Sequence, residues 1–172
     1  MSVKSLPGLT LDGQIYYDED MKFLEAVIPP GPWKTAHAPA LLETKAGTLL
    51  CCWFAGTFEG GTDINIVLSR LPKGADHWEE PQYITNDNDT SNQNPSLFLA
   101  PNGEIWALYT AQLGRIPGKD NMQYTSIINK QVSIDDGKTW SQLEVVFPDH
   151  GTFARHRFQI LSHGRWIIGN WI

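Results

Sequence analysis

The residues best equipped for chemistry are His37, Gln93, Asn94, Arg155 and Arg157, together with Glu59 and Asp63 in the Gly-rich stretch 57–63. An imidazole changes charge near neutral pH, so a histidine such as His37 can take up or release a proton during a reaction. A guanidinium is planar and permanently charged, and it meets a carboxylate through two parallel hydrogen bonds. That suits Arg157, and with it Arg155, to an acidic ligand. The carboxamides of Gln93 and Asn94 add neutral donors and acceptors. Such a set fits a small, polar, anionic molecule.

Each residue also has a plainer reading. His37 is equally suited to capping a strand and bonding a backbone carbonyl, Asp63 to a loop turn, and Gln93 and Asn94 to turn formation. Arg155 and Arg157 alternate with His156, so on a strand only one face could look toward a ligand. Arg157 is then the better clamp and Arg155 a solvated side chain.

What brings distant residues together is a repeat. The segment Pro39-Ala-Leu-Leu-Glu-Thr-Lys-Ala-Gly47 lies over Pro95-Ser-Leu-Phe-Leu-Ala-Pro-Asn-Gly103, with Pro and Gly eight residues apart in both. A third copy, His156-Arg-Phe-Gln-Ile-Leu-Ser-His-Gly164, keeps the spacing without the proline. The copies start 56 and then 61 residues apart, which fits a blade of four strands in a β-propeller. First strands are expected at 40–44, 96–100 and 158–161, and second strands at 48–55, 104–111 and 166–171. Third strands follow at 64–70 and 124–133, and fourth strands near 82–85 and 143–147. Residues 1–36 carry Pro7, Pro29, Pro30 and Pro32 and read as an irregular lead-in with a strand around 23–28; the blades occupy 37–172. On this topology the starts of the first strands and the loops 57–63 and 113–123 share one rim, around a funnel where substrate commonly sits.

Composition supports an all-β chain. There are 7 Trp, 5 Tyr, 7 Phe, 15 Gly and 11 Pro in 172 residues, with no sustained helical period. Hydrophobic residues make up 41%, enough to fold, and the 13 basic against 19 acidic side chains leave a net charge of −6, so nucleic acid is not an expected partner. The longest apolar run, Leu49 to Ala55, is far short of the roughly 20 residues needed to cross a bilayer, and no membrane partner is expected. The opening residues 1–8 lack the apolar segment of a secretory signal, which implies a cytoplasmic protein, or a secreted one whose signal has been removed. Cys51 and Cys52 are adjacent, point to opposite faces of a strand, and read as buried free thiols. No metal or cofactor is expected, because two neighbouring thiols without a matching pair do not form a tetrahedral site.

The sharpest motif is Ser133-Ile134-Asp135-Asp136-Gly137-Lys138-Thr139-Trp140, which matches Ser-x-Asp-x-Gly-x-x-Trp, the Asp box. Asp135 is expected to accept hydrogen bonds from turn amides, Gly137 to adopt positive φ, and Trp140 to fold between blades, so the role of Ser133, Asp135, Gly137 and Trp140 is structural. A worn copy runs from Ser69 to Trp78. With the blade-one run His37-Ala-Pro-Ala-Leu-Leu, Trp53-Phe-Ala-Gly, Asp63 and Val67-Leu-Ser-Arg70, the chain resembles the sialidase-like family of Asp-box, or BNR-repeat, β-propellers over about residues 37–172.

The resemblance implies a six-bladed propeller of about twice this length. About three blades fit here, so the remainder is expected from deleted sequence or from another chain. It also implies a carbohydrate-active enzyme acting on a terminal acidic sugar of a glycan. Where sialidases open the first strand with Arg-Ile-Pro, this chain has His37-Ala38-Pro39. Arg115-Ile116-Pro117 falls in a different loop and is not the counterpart. The family's acid catalyst maps to Asp63, or less well to Glu59, and its Tyr–Glu nucleophile pair would lie beyond residue 172. Rhamnosyl-glucuronate lyases use the same propeller with a histidine and arginines, roles open to His37 and Arg157. A non-catalytic glycan-binding propeller is the third possibility.

Overall fold

The computed structural model describes residues 10–115 and 122–172. Its strands are β1 (Tyr16–Asp18), β2 (Phe23–Glu25), β3 (Thr35–Glu43), β4 (Leu49–Gly56), β5 (Asn65–Leu71), β6 (Gln82–Tyr83), β7 (Thr90–Leu99), β8 (Ile105–Leu113), β9 (Ile127–Ser133), β10 (Glu144–Phe147), β11 (Phe153–Ala154), β12 (Gln159–Ile160), β13 (Trp166–Ile167) and β14 (Asn170–Trp171). Residues 1–8, read above for a targeting signal, lie outside the described residues, as do Ile116 and Pro117.

Two four-stranded antiparallel sheets carry the structure, in the orders β3-β4-β5-β6 and β7-β8-β9-β10. A third unit begins with the pairings β11-β14 and β12-β13, and β1 pairs with β2 as a separate hairpin. The hairpin puts two short strands in the lead-in where the sequence suggested one. The architecture is all-β and antiparallel, with meandering sheets packed face to face.

The expected Gly turns are present in all three units. Gly47, Gly103 and Gly164 have φ of 84°, 96° and 83°, a region that a side chain disfavours. Their amides donate to the carbonyls of Thr44, Ala100 and Leu161 at 3.0, 2.9 and 2.8 Å. An identical three-residue step therefore closes each first hairpin and sets its register.

Burial follows the pleat. Along β4, Leu50, Cys52 and Phe54 face the second sheet, while Cys51, Trp53 and Ala55 face away from it. Leu97, Tyr109 and Ile105 meet the first set from the other side. Leu50, Phe54 and Leu97 are at most 2% exposed, and each such side chain contributes about 1.5–3 kcal/mol by leaving water. Both cysteines are free and buried, as expected.

The Asp135 turn behaves as its residue types require. Asp135 Oδ1 accepts the amides of Lys138 (3.1 Å) and Thr139 (2.9 Å) and the Ser133 hydroxyl (2.9 Å), and Oδ2 accepts the Thr139 hydroxyl (2.6 Å). The Gly137 amide donates to Ser133 Oγ at 2.9 Å, and Trp140 packs on the core between the two sheets. In the first sheet Gly74 keeps the positive φ of 82°, but Asp76 accepts from His77 rather than from turn amides. The turns also lock the sheets together. Arg70 of β5, 9% exposed, donates through Nε to the carbonyl of Asp136 (3.1 Å), pairs with its carboxylate (3.5 Å), and reaches Glu79 at 2.9 Å.

Candidate functional site

At the end opposite those turns, the first strand of every unit breaks its ladder. Pairing of β3 with β4 shifts register between His37 and Ala40, and pairing of β7 with β8 shifts between Gln93 and Ser96. Inside the two breaks lie Ala38 and Asn94, with φ of 55° and 50°. Each precedes a proline, which has no N–H to give the ladder. A left-handed conformation costs an L-residue roughly 1–2 kcal/mol, and alanine lacks the side chain by which asparagine offsets it. Ala38 is therefore held there by its surroundings, as backbone outliers at functional sites commonly are. In the third unit, residues 155–158 separate β11 from β12 while only Ile168 and Gly169 separate their partners.

The breaks correct two expectations. His37, Gln93 and Asn94 do not stand at strand entrances, because Thr35 and Ala36, and likewise Thr90 to Asn92, are already paired ahead of them. The strand runs through the proline and absorbs it as a bulge instead of starting at it. Arg155 and Arg157 do not alternate along a strand either. Both lie in the wide third break and both are exposed, so the pleat does not choose between them. The second and third breaks touch where the Ser96 hydroxyl donates to the carbonyl of His156 at 3.3 Å.

His37 lies against the ring of Phe54, centroids 5.5 Å apart and planes 10° from parallel. Its imidazole makes no hydrogen bond among the described residues, which removes the strand-capping reading. It lines a recess of about 650 Å³ with Pro29, Pro30, Trp33, Cys51 and Trp53. Asp63 lines a different recess, of about 300 Å³, with Trp33, Lys34, Tyr83, Asn86 and Asn88. The structure thus does not bring His37 and Asp63 into one cavity; Trp33 and Lys34 border both. Asp63 Oδ2 accepts the amide of Thr57 (2.9 Å) and its hydroxyl, bracing the ends of the loop, while Glu59 is exposed. Gln93 is 7% exposed and donates to Ser91 Oγ at 2.8 Å, in a buried polar layer with Thr110 and Gln112.

Asp87 and Asn65 at this rim belong to none of the motifs read from the sequence, and Arg115 enters there only in the Arg-Ile-Pro that is not the counterpart of the first-strand tripeptide. Asp87 accepts the amides of Asp89 and Thr90 at 3.1 and 2.8 Å, and also the Thr90 hydroxyl and the Asn92 amide group. Partial burial works against its ionisation, but these hydrogen bonds prevail and hold the carboxyl below its usual range. Asn65 in turn grips the Asp87 backbone and the Thr85 hydroxyl, fixing the crossing from the first sheet to the second. The run Asn86-Asp87-Asn88-Asp89-Thr90, dense in turn formers, was the available signal. Arg115 starts the loop after β8 and donates its amide to the Gly60 carbonyl at 2.6 Å. A Cβ on Gly60 would sit 3.6 Å from Arg115 Cβ and 3.9 Å from Gln93 Nε2, so Gly60, Arg115 and Gln93 meet in one patch.

Repeated four-stranded antiparallel sheets, joined at one end by Gly turns and broken at the other around polar side chains, define an all-β repeat protein. A family model described as a BNR repeat-like domain matches residues 47–170, and the chain belongs to that family. No curated protein matches it. Among solved structures it is similar to the NanB sialidase from Streptococcus pneumoniae, with a TM-score of 0.63 and 12% identity over 90% of this chain and 44% of that one. It is similar also to an endo-arabinase from Bacteroides thetaiotaomicron (TM-score 0.56, 15% identity, 86% and 56%). A third is the leech intramolecular trans-sialidase complexed with 2,7-anhydro-Neu5Ac (TM-score 0.56, 13% identity, 86% and 39%). The chain spans between 39% and 56% of the length of these proteins. At such identities the likeness concerns the fold, which hosts more than one activity.

Proposed function

We propose that the chain supplies one wall of the substrate funnel of a carbohydrate-active enzyme resembling sialidases, an exo-glycosidase acting on a terminal acidic sugar. Its sheets are then the first blades of a six- or seven-bladed propeller, and the remaining blades come from further sequence or from another chain. The observation that carries this reading is the repeated break of the first strands, which puts His37, Gln93 with Asn94, and Arg155 with Arg157 at equivalent places in three successive units. Arg157 and Arg155, both exposed in the third break, clamp the sugar carboxylate. His37 binds that group or carries a proton. Asp63, with Glu59 in the same loop, serves as acid or as hydroxyl ligand from the neighbouring recess on the far side of Trp33.

A second reading is favoured by the unbonded imidazole of His37, which stands where sialidases have an arginine. In a uronate lyase the base takes the proton α to the carboxylate, the released electron pair forms a carbon–carbon double bond, and the glycosidic C–O bond breaks. Guanidinium groups stabilise the enolate that forms on the way. If neither reaction occurs, a non-catalytic glycan-binding propeller is what remains.

Incubating the protein with sialyllactose, and separately with a glucuronate-containing oligosaccharide, separates the readings. Free sialic acid supports the hydrolase, and ultraviolet absorbance from an unsaturated product supports the lyase. Binding of either probe without turnover leaves the binding module, and no binding of either overturns the proposal.

A further inference from the structure

We propose that the recess lined by Trp33 and Tyr83 is a binding subsite for a neutral sugar ring, separate from the breaks that hold His37 and the arginines. Its walls come from the lead-in (Pro32, Trp33, Lys34), the loop after β4 (Thr57, Asp63) and the run after β6 (Asn86, Asn88). The aromatic wall is fixed in place. Trp33 Nε1 donates to the Tyr83 hydroxyl at 2.7 Å, and the two rings stand at 88° with centroids 6.0 Å apart. On its other side Trp33 meets Trp53 edge to face, again at 6.0 Å and at 84°. An indole held from two sides offers a rigid surface at little entropic cost to a ligand, and the apolar C–H face of a sugar matches such a surface.

The polar groups suit hydroxyls. Asn86 and Asn88 are exposed and make no side-chain hydrogen bond among the described residues, so each carboxamide has a donor and an acceptor free for a vicinal diol. The Tyr83 oxygen accepts from Trp33 and keeps its own proton to donate. Asp63 commits Oδ2 to Thr57 and leaves Oδ1 open. Lys34 and Asp63, the charged residues lining the recess, have opposite signs, so the lining carries no net charge that would select an anionic ring. A volume of about 300 Å³ fits a single ring. This site does not depend on which acidic sugar, if any, binds beside His37.

Titration of the whole protein with lactose and with methyl β-galactoside, followed by tryptophan fluorescence and saturation-transfer NMR, tests the assignment. A saturable change is expected with at least one of them. Asn88→Ala, on an exposed and unbonded side chain, should weaken it by about fivefold, the scale of one hydrogen bond, and Tyr83→Ala by more. His37→Ala should leave it unchanged. Absence of saturable binding by both probes overturns the proposal. So does binding that survives both pocket variants, or loss of binding in His37→Ala.

Discussion

The imidazole of His37 lies nearly flat on the phenyl ring of Phe54, 5.5 Å centroid to centroid, at the last register pair before the ladder between β3 and β4 breaks. Phe54 is 2% exposed and anchored in the core between the two sheets, whereas His37 is exposed. The stack thus orients a solvent-facing imidazole without using either of its nitrogens.

His37→Ala should therefore separate function from folding. Loss of the stack costs about 0.5–1.5 kcal/mol, a modest drop in melting temperature. If the imidazole transfers a proton, turnover in the assembled enzyme should fall by at least about 10²-fold. His37→Arg distinguishes the chemistries, since a binding role survives with a permanent charge and a proton-transfer role does not. Unchanged activity per folded molecule in His37→Ala would move the site elsewhere.

Asp135→Ala should destabilise the fold by about 1–3 kcal/mol, because four donors lose their acceptor, and should leave ligand affinity intact. Chemical denaturation and a binding titration on the same variant check both halves.

Acid should reveal the same carboxylate. Hydrogen bonds from the Thr139 hydroxyl and then the Thr139 amide hold Asp135 down at about 2. A carboxyl with a lower value folded than unfolded contributes stability above the unfolded value of roughly 3.9, and loses it as pH falls toward the folded value. Between about pH 4 and 2 the wild type should lose stability more steeply than Asp135→Asn. Parallel acid-unfolding curves would show that the turn does not couple to folding.

Arg70→Met should cost about 1.5–3 kcal/mol, the range for hydrogen bonds to charged groups, by leaving Asp136 and Glu79 without their cation. Denaturant midpoints read this directly. Adding Asp136→Asn to that variant should cost less than it does in the wild type, because the charge it removes has already lost its cation.

The thiols should be silent in the native state. Burial pushes Cys51 up to about 11 and Cys52, fully enclosed, higher still. The thiolate is the reactive form, so a disulfide reagent such as Ellman's should label neither cysteine faster than the protein unfolds. Rapid labelling of Cys51 would show that the recess beside Trp53 opens.

What the residues determine by themselves is local. Gly47, Gly103 and Gly164 at equal distance from their strands require three identical hairpins, because few other residues tolerate that backbone conformation. Ser133, Asp135 and Gly137 satisfy their turn with partners at most four positions away, so the motif is legible in eight residues. The alternation of β4 likewise places both thiols in the interior. The site is a different matter. Pro39 and Pro95 look like places where strands begin, and only pairing with β4 and β8 shows that the strands pass through them as bulges. His37 and Asp63 read as partners in the sequence, but Trp33, 30 residues before Asp63 in the chain, borders both of their recesses and divides them. Trp33 meets Tyr83 across 50 positions, and Arg70 meets Asp136 across 66. Such contacts depend on how whole sheets pack, and their energies are shared among so many distant side chains that no local spacing encodes them.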